Sequence, residues 1–349
     1  MQIPSIKNPA YRNLISKYSA LTKFALTRRK FLKGGAGLAA AGGLGIAVDA
    51  AFMEPNHPRL ERIEVRLPRL PAALDGFTVA QLSDFHYHPH FTVRAIQNAV
   101  SATNQLQPDL IVLTGDFVTV PFLKRRGAAR RAADAADPCA RLLSGLTGRH
   151  AAVAVLGNHD VFADADHVTG SLQSSGIQVL RNQCVPIERE GARFWLAGVD
   201  DVLGGGANVS ETLRGVPNGE AVVLLCHEPD FADKVGRHPV DLQLSGHSHG
   251  GQVRFPLIGP LYLPELARKY PSGLRRIGSM MLYTNRGIGT IRVPLRWNCP
   301  PEVTLFTLRS TAARQSFHLK FCQYPCCSKT TIQRWREVQQ ISHCVRNAS

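Results

Sequence analysis

Seven residues able to bind metal follow short apolar runs of this chain. Val79-Ala80-Gln81-Leu82 leads to Asp84 and His86, and Leu110-Ile111-Val112-Leu113 leads through Thr114-Gly115 to Asp116. Val153-Ala154-Val155-Leu156 runs into Gly157-Asn158-His159-Asp160, the Val222–Cys226 run into His227, and Leu242-Gln243-Leu244 into Ser245-Gly246-His247-Ser248-His249. Carboxylate with imidazole suits Zn, Mn or Fe, and the Asn158 oxygen favours a harder ion. Seven donors are too many for a single tetrahedral zinc and suit two ions that share one carboxylate. Asp84 with His86, and His247 with His249, stand two apart, so on an extended backbone each pair points one way. Any one of these histidines alone is more often structural than a ligand; the ordered series is not.

Such donors need elements that end together. Arg59–Leu67 alternates as a strand, and the five runs above are of strand length, bounded by Gly, Asp, Asn or Ser. Helical patterning over Thr92–Gln105, Arg130–Leu146, Ala165–Ser175, Val209–Arg214 and Asp230–Gly236 separates them. Alternation of strand and helix implies an α/β fold with a largely parallel sheet, whose ligands bind beyond the carboxyl ends of the strands. Met280–Thr284 and Val303–Leu308 read as closing, antiparallel strands.

Asp84-x-His86, Gly115-Asp116, Gly157-Asn158-His159-Asp160, His227 and Gly246-His247-x-His249 resemble, in order and spacing, the motifs of the calcineurin-like metallophosphoesterases. The resemblance covers about residues 60–308 and is strongest to exported bacterial phosphodiesterases, with Asn285-Arg286-Gly287-Ile288-Gly289 a softer match. It implies a four-layer αββα sandwich with a dinuclear metal site at the strand ends. It also implies two divalent ions (Mn, Fe, Zn or Mg), one held by Asp84, His86, Asp116 and His249, the other by Asp116, Asn158, His227 and His247, with Asp116 bridging. A hydroxide between the ions would attack a phosphoester, and His159 would protonate the leaving oxygen. The chain departs from the phosphatase branches at Thr119, where an acid often orients that histidine, so either another residue such as Asp160 orients His159 or His159 contributes less than in those enzymes. A phosphomonoesterase or lipid pyrophosphate hydrolase on the same scaffold is the alternative activity, and a metal-binding module with decayed catalysis the alternative outside enzymes.

The net charge is +15, but eight Lys or Arg and no acid precede residue 34, and seven bases against one acid follow residue 308. Residues 34–308 are therefore near +1, which argues against a nucleic-acid footprint. Thr27-Arg28-Arg29-Lys30-Phe31-Leu32-Lys33, followed by the Gly- and Ala-rich Gly34–Val48, resembles a twin-arginine export signal. This makes residues 1–51 a leader or membrane anchor, 55–308 the catalytic domain and 309–349 a basic, Cys-containing tail of little order. The expected partners are the twin-arginine export machinery, a phosphoester substrate with a lipid-linked one open, and a membrane surface. The expected location is the periplasm or the outer face of the cytoplasmic membrane. The six glycines of Gly34–Val48 weigh against a stable helix, and the stretch falls short of a comfortable span.

Lesser candidates are weighed the same way. Arg286 is a candidate for binding substrate phosphate, since a guanidinium fork fits it. His88 and His90 read as rim or surface residues, because Pro89-His90 lacks the Asp-His ending of metallo-β-lactamase-like hydrolases. Asp200 and Asp201 read as loop acids facing water, and Lys124-Arg125-Arg126 with Arg130-Arg131 as a solvated basic face. Cys139, Cys184, Cys226 and Cys299 read as small buried hydrophobes, while Cys322, Cys326, Cys327 and Cys344 crowd the tail without a ligand spacing.

Overall fold

Runs that are apolar at every position, such as Leu110-Ile111-Val112-Leu113, must bury both faces of a strand. The computed structural model, which describes residues 28–121 and 127–311, shows how. Leu110 and Val112 point into the core shared by two sheets, while Ile111 and Leu113 point the other way, beneath helices. Phe77 and Val79 against Ala80 and Leu82 divide in the same manner.

The strands in chain order are β1 (Arg59–Leu67), β2 (Phe77–Leu82), β3 (Leu110–Thr114), β4 (Val153–Val155), β5 (Gln178–Val179), β6 (Gln183–Arg189) and β7 (Ala192–Gly198). They continue with β8 (Val222–Leu225), β9 (Leu242–Ser245), β10 (Arg254–Phe255), β11 (Gly259–Pro260), β12 (Gly273–Ile277), β13 (Met280–Thr284) and β14 (Glu302–Ser310). One six-stranded sheet runs β1-β14-β2-β3-β4-β5 and the other β12-β13-β9-β8-β7-β6. The first sheet is parallel from β2 to β5 and the second from β13 to β7. The closing strands differ from the antiparallel expectation. β13 is antiparallel to β12 but parallel to β9, and β14 is antiparallel to β2 but parallel to β1.

The helices after β1 are α2 (Val93–Leu106), α3 (Ala128–Ala133), α4 (Ala136–Leu143), α5 (Asn158–Ser174), α6 (Val209–Thr212) and α7 (Ala232–Val235). One core joins α2, α4 and α5 to the first sheet, a second lies between the sheets, and a third joins α6 and α7 to the second sheet. That is the four-layer αββα arrangement. The helix expected over Arg130–Leu146 is broken into α3 and α4, and α5 begins seven residues earlier than its pattern suggested, directly at Asn158. Gly157 and the acids Asp160, Asp164 and Asp166 at the head of α5 hid its start.

Contacts within the chain divide between Asp49 and Ala50. Before that point α1 (Arg28–Val48) is a 21-residue helix without a buried residue, and with the turns after it the segment is long and apolar enough to cross a membrane. The glycines do not prevent the helix. Their deficit is about 1 kcal/mol each, and the residues among them, Leu38, Ala39, Ala40, Ala41 and Leu44, are strong helix formers. Cys139, Cys226 and Cys299 are buried and Cys184 half-buried, all free thiols. The tail beyond 311, with its four cysteines, and Lys124–Arg126 lie outside the described residues.

The inter-sheet core centres on aromatic contacts. Phe194 is fully buried and meets Phe77 edge to face at 5.3 Å. Phe194→Ala should lower unfolding free energy by about 3–5 kcal/mol, measured by denaturant titration, with the metal content of the folded protein unchanged.

Candidate metal centre

The strands that carry the donors stop just short of them, and the backbone then turns left-handed. Asp84 (φ 54°), His86 (φ 43°), Asp116 (φ 59°), His247 (φ 66°) and His249 (φ 50°) all have positive φ. Non-glycine residues rarely adopt this region, and each costs of order 1 kcal/mol or more. The expected extended backbone with period two therefore does not hold for Asp84 and His86 or for His247 and His249. Their side chains converge because alternate residues sit in left-handed turns, not because the strands continue.

Hydrogen bonds between the turns hold them. Asp84 N–H donates to the Gly115 carbonyl at 2.9 Å, His86 N–H to Asp116 at 3.0 Å, and Gly246 N–H to His227 at 3.0 Å. Ile288 and Gly289 N–H donate to Ser83 and Asp84 carbonyls at 2.9 and 2.7 Å. Close approach needs glycine at two places. A Cβ on Gly246 would collide with Ser83 Oγ and the Asp84 carboxylate, and one on Gly287 would stand 2.6 Å from Asp84 Cβ. The second explains the Asn285–Gly289 segment, which closes over Asp84.

Asp116 occupies the centre. Its Oδ1 accepts the His159 N–H at 2.9 Å, while its Oδ2 stands 3.3 Å from His86 Nε2 and 3.1 Å from His227 Nε2. Donor atoms of Asp84, His86 and His249 gather within 4.8 Å of one another, as do those of Asp116, His227 and His247, and those of His86, Asp116 and His159. The structure thus brings Asp84, His86, Asp116, His227, His247 and His249 together, with His159 beside them and Asn158 at the head of α5.

The far sides of three of the four imidazoles are fixed. His227 Nδ1–H donates to the Thr114 carbonyl at 2.6 Å, His247 Nε2–H to Glu265 at 2.7 Å and His86 Nδ1–H to the Thr119 hydroxyl at 2.9 Å. These three rings therefore present their other nitrogen inward, as metal-ligating histidines do. Two further observations fit a cation. The buried Asn158 Oδ1 finds no hydrogen-bond partner. Nε2 of His86 and of His249 face each other at 3.0 Å, where two lone pairs need a cation or a proton between them.

Electrostatics make the same demand. Burial raises the Asp84 carboxyl, His227 opposes this, and the neighbouring Asp116 raises it further. For Asp116 burial also acts upward, but His227 and then His159 hold it well below the usual range. Burial lowers His159 to about 4, His247 to about 3 and His249 well below its ordinary value, leaving neutral imidazoles. His227 is the exception: Asp116 and Asp84 overcome its burial and raise it.

Thr119 serves His86, and Asp160 departs from its expected role. Asp160 does not orient His159. Its two oxygens accept the N–H groups of Asp116 (2.8 Å), Phe117 (2.8 Å), Val118 (3.1 Å) and Gly157 (2.9 Å), so it locks the Asp116 turn. Its burial and the Asp116 charge push it up to about 7, against the pull of those donors. His159 is oriented instead by the Val120 N–H, which donates to Nδ1 at 3.0 Å. Arg286 has its guanidinium between Glu61 (2.7 Å) and Glu302 (2.6 Å), so two carboxylates already hold the fork. Asp201 is also unlike its expectation, being buried beside the Glu228 carboxyl, while His88 and His90 are exposed.

Reading the sequence missed Arg296, fully buried, whose guanidinium donates to the carbonyls of Gly289 (2.7 and 3.0 Å), Arg286 (2.9 Å) and Cys299 (3.0 Å). It staples the loop that covers Asp84. No spacing signals a lone arginine; only the fold gives it these acceptors.

Thr119→Val removes the acceptor behind His86 and should weaken metal affinity by about 10–100-fold, read by competition with a metallochromic chelator, while the melting temperature of the ion-free protein stays within a few degrees. The proton on His227 competes with a cation, and that competition fades as pH rises. Mn²⁺ binding to ion-free protein should therefore release protons and tighten with pH by up to about tenfold per unit. Calorimetry in buffers of different ionisation enthalpy checks the sign; proton uptake would contradict it.

Sequence comparison agrees with this geometry. The calcineurin-like phosphoesterase family matches residues 77–251. The chain is similar to the uncharacterized metallophosphoesterase YkuE of Bacillus subtilis, 35% identical over 291 residues, covering 82% of this chain and 99% of the relative. Phosphodiesterase YaeI of Escherichia coli is 33% identical over 290 residues, covering 81% and 99%. UDP-2,3-diacylglucosamine pyrophosphatase LpxG of Chlamydia muridarum is 26% identical over 324 residues, covering 73% and 91%. With its five donor-bearing strand ends gathered at Asp116, the chain belongs to the calcineurin-like phosphoesterases, hydrolases of phosphoester bonds.

Proposed function

We propose that this protein is an exported phosphodiesterase whose site holds two divalent ions, one at Asp84, His86, Asp116 and His249, the other at Asp116, Asn158, His227 and His247. The observation that carries it is Asp116 Oδ2, which faces His86 Nε2 at 3.3 Å and His227 Nε2 at 3.1 Å, one oxygen between the two donor sets. Ions bound there would supply Lewis acidity to the phosphoryl oxygens and make water nucleophilic near neutral pH.

The protein's own groups do the rest. The Asp116 turn, locked by Asp160, keeps the shared carboxylate in place. Gly246 lets the His247 N–H reach the Asp84 carboxylate at 2.9 Å, so that Asp84 is aimed before any ion arrives. His159 accepts from Val120 at Nδ1 and so carries its proton on Nε2 when neutral. Beside the cluster, edge to face with His86 at 4.9 Å, it is positioned to donate a hydrogen bond from Nε2–H to an oxygen of the phosphoester as charge develops there.

Diester preference rests on the likeness to YaeI, whose name states that activity. A lipid pyrophosphate is the second reading, favoured by the likeness to LpxG. Export rests on Arg28-Arg29 followed by the apolar α1.

Purified protein with Mn²⁺ should hydrolyse bis-p-nitrophenyl phosphate faster than p-nitrophenyl phosphate. Asp116→Ala should lose bound metal and activity together. His159→Ala should keep its metal and lose about 10²–10⁴-fold in kcat. Unchanged turnover in both variants would sink the assignment, and a monoester preference would sink the diesterase part.

A further inference from the structure

After His249 the chain leaves the centre through the ribbon of β10 and β11, Arg254–Phe255 paired with Gly259–Pro260. The ribbon is fixed to the site at its base. Arg254 donates to the Gly250 carbonyl at 2.7 Å, a Cβ on Gly251 would collide with Pro260, and His247 donates to Glu265 just beyond.

Its far end is apolar and in water. Leu257 is fully exposed, Ile258 is 74% exposed, Leu261 66% and Tyr262 52%. Soluble surfaces scatter such residues singly; here four fall within six positions. Leu257 also holds φ at 67°, unfavourable for a branched side chain, without burying it.

Behind this tip stand aromatics and arginines. The Arg292 guanidinium lies 4.3 Å over the Tyr262 ring and donates to its hydroxyl at 3.0 Å, and Phe255 meets Trp297 edge to face at 4.9 Å. Of the eight Lys or Arg in residues 252–298, Arg296 is buried and Arg286 and Lys269 are paired with acids, which leaves Arg254, Arg268, Arg275, Arg276 and Arg292 against the one acid of the stretch, Glu265. An aliphatic tip, then amphipathic aromatics, then cations is the order of environments from acyl chains through the interface to anionic headgroups. A partner protein would account for the tip and leave the cationic grading without a cause.

We propose that residues 254–262 form a wedge that docks on an anionic lipid bilayer, with Leu257 and Ile258 at the acyl boundary and Arg254 and Arg292 at the headgroups. The surface is read from residues outside the metal centre. Its consequence, that the substrate is a phosphoester met at a membrane, rests on the function proposed above.

The test uses the full chain. Because α1 is itself apolar, total vesicle binding is not the readout; amide hydrogen exchange of residues 254–262 is. Vesicles of phosphatidylcholine with phosphatidylglycerol should slow that exchange by about tenfold, and the triple variant Leu257→Ser, Ile258→Ser, Leu261→Ser should lose the protection. The variant should hydrolyse bis-p-nitrophenyl phosphate in solution at the parent rate. Ribbon amides indifferent to vesicles in a protein that hydrolyses the diester would overturn the wedge and spare the function. Protection in a protein inert toward the diester would uphold the wedge and count against the function. Protection that grows with protein concentration in the absence of lipid would make a second copy the occupant and overturn the proposal.

Discussion

Two carboxylates, Asp84 and Asp116, are buried against one another where water cannot screen them. Burying an uncompensated charge costs far more than a domain's net stability can absorb, so the surroundings must answer it. Asp160 shows how a third carboxylate nearby is answered, with four backbone N–H donors on its two oxygens. Asp84 and Asp116 each keep backbone donors on part of the carboxylate and turn the remainder toward imidazole nitrogens. Burial keeps His247 and His249 neutral, and His86, His227 and His247 donate hydrogen bonds from their outer nitrogens to Thr119, Thr114 and Glu265. A site built this way is short of positive charge and rich in lone pairs, and a divalent cation supplies what is missing.

The layers follow from the same need. Five donor-bearing ends can meet only if the parallel strands of both sheets stop at one edge, and β2, β3 and β4 of one sheet face β8 and β9 of the other there. Gln81 spans the sheets at this edge, its amide donating to the Ser245 carbonyl at 2.9 Å and to Thr114 Oγ1 at 3.0 Å. The left-handed turns that aim the donors are strained, and the strain is met by hydrogen bonds between turns, by glycines that let them touch, and by Arg296 behind the covering loop. Precision at the centre is therefore a property of the whole edge, not of any one loop.

Much of this was legible in the chain. Apolar runs filled at every position announce strands buried on both faces, and donors placed after five of them announce where the strands end. What the sequence hid depends on partners that only folding assembles. The two-residue spacing of Asp84 and His86 reads as extended backbone, whereas the turn conformation comes from contacts with Gly115, Asp116 and Gly289. Asp160 reads as an acid free to orient a histidine, and only the meeting of the Asp116 and Gly157 turns shows its oxygens already filled. Arg286 reads as a phosphate ligand until Glu61 and Glu302, 225 residues apart from one and 16 from the other, are seen to hold it. β5, β10 and β11 are two residues long, too short for any periodicity to mark.

The Thr119 position shows why substituting one residue of a motif need not abolish its chemistry. An acid there would face an imidazole and favour its doubly protonated form. Thr119 instead serves His86, holding the ring so that Nε2 faces Asp116. The duty of orienting His159 passes to the next residue, through a backbone N–H that no side-chain change at 120, except proline, can remove. That donor fills Nδ1 and so leaves the neutral ring with its proton on Nε2, by geometry rather than by charge. The two histidines are thus aimed by consecutive residues of one turn, and that turn is the one Asp160 locks.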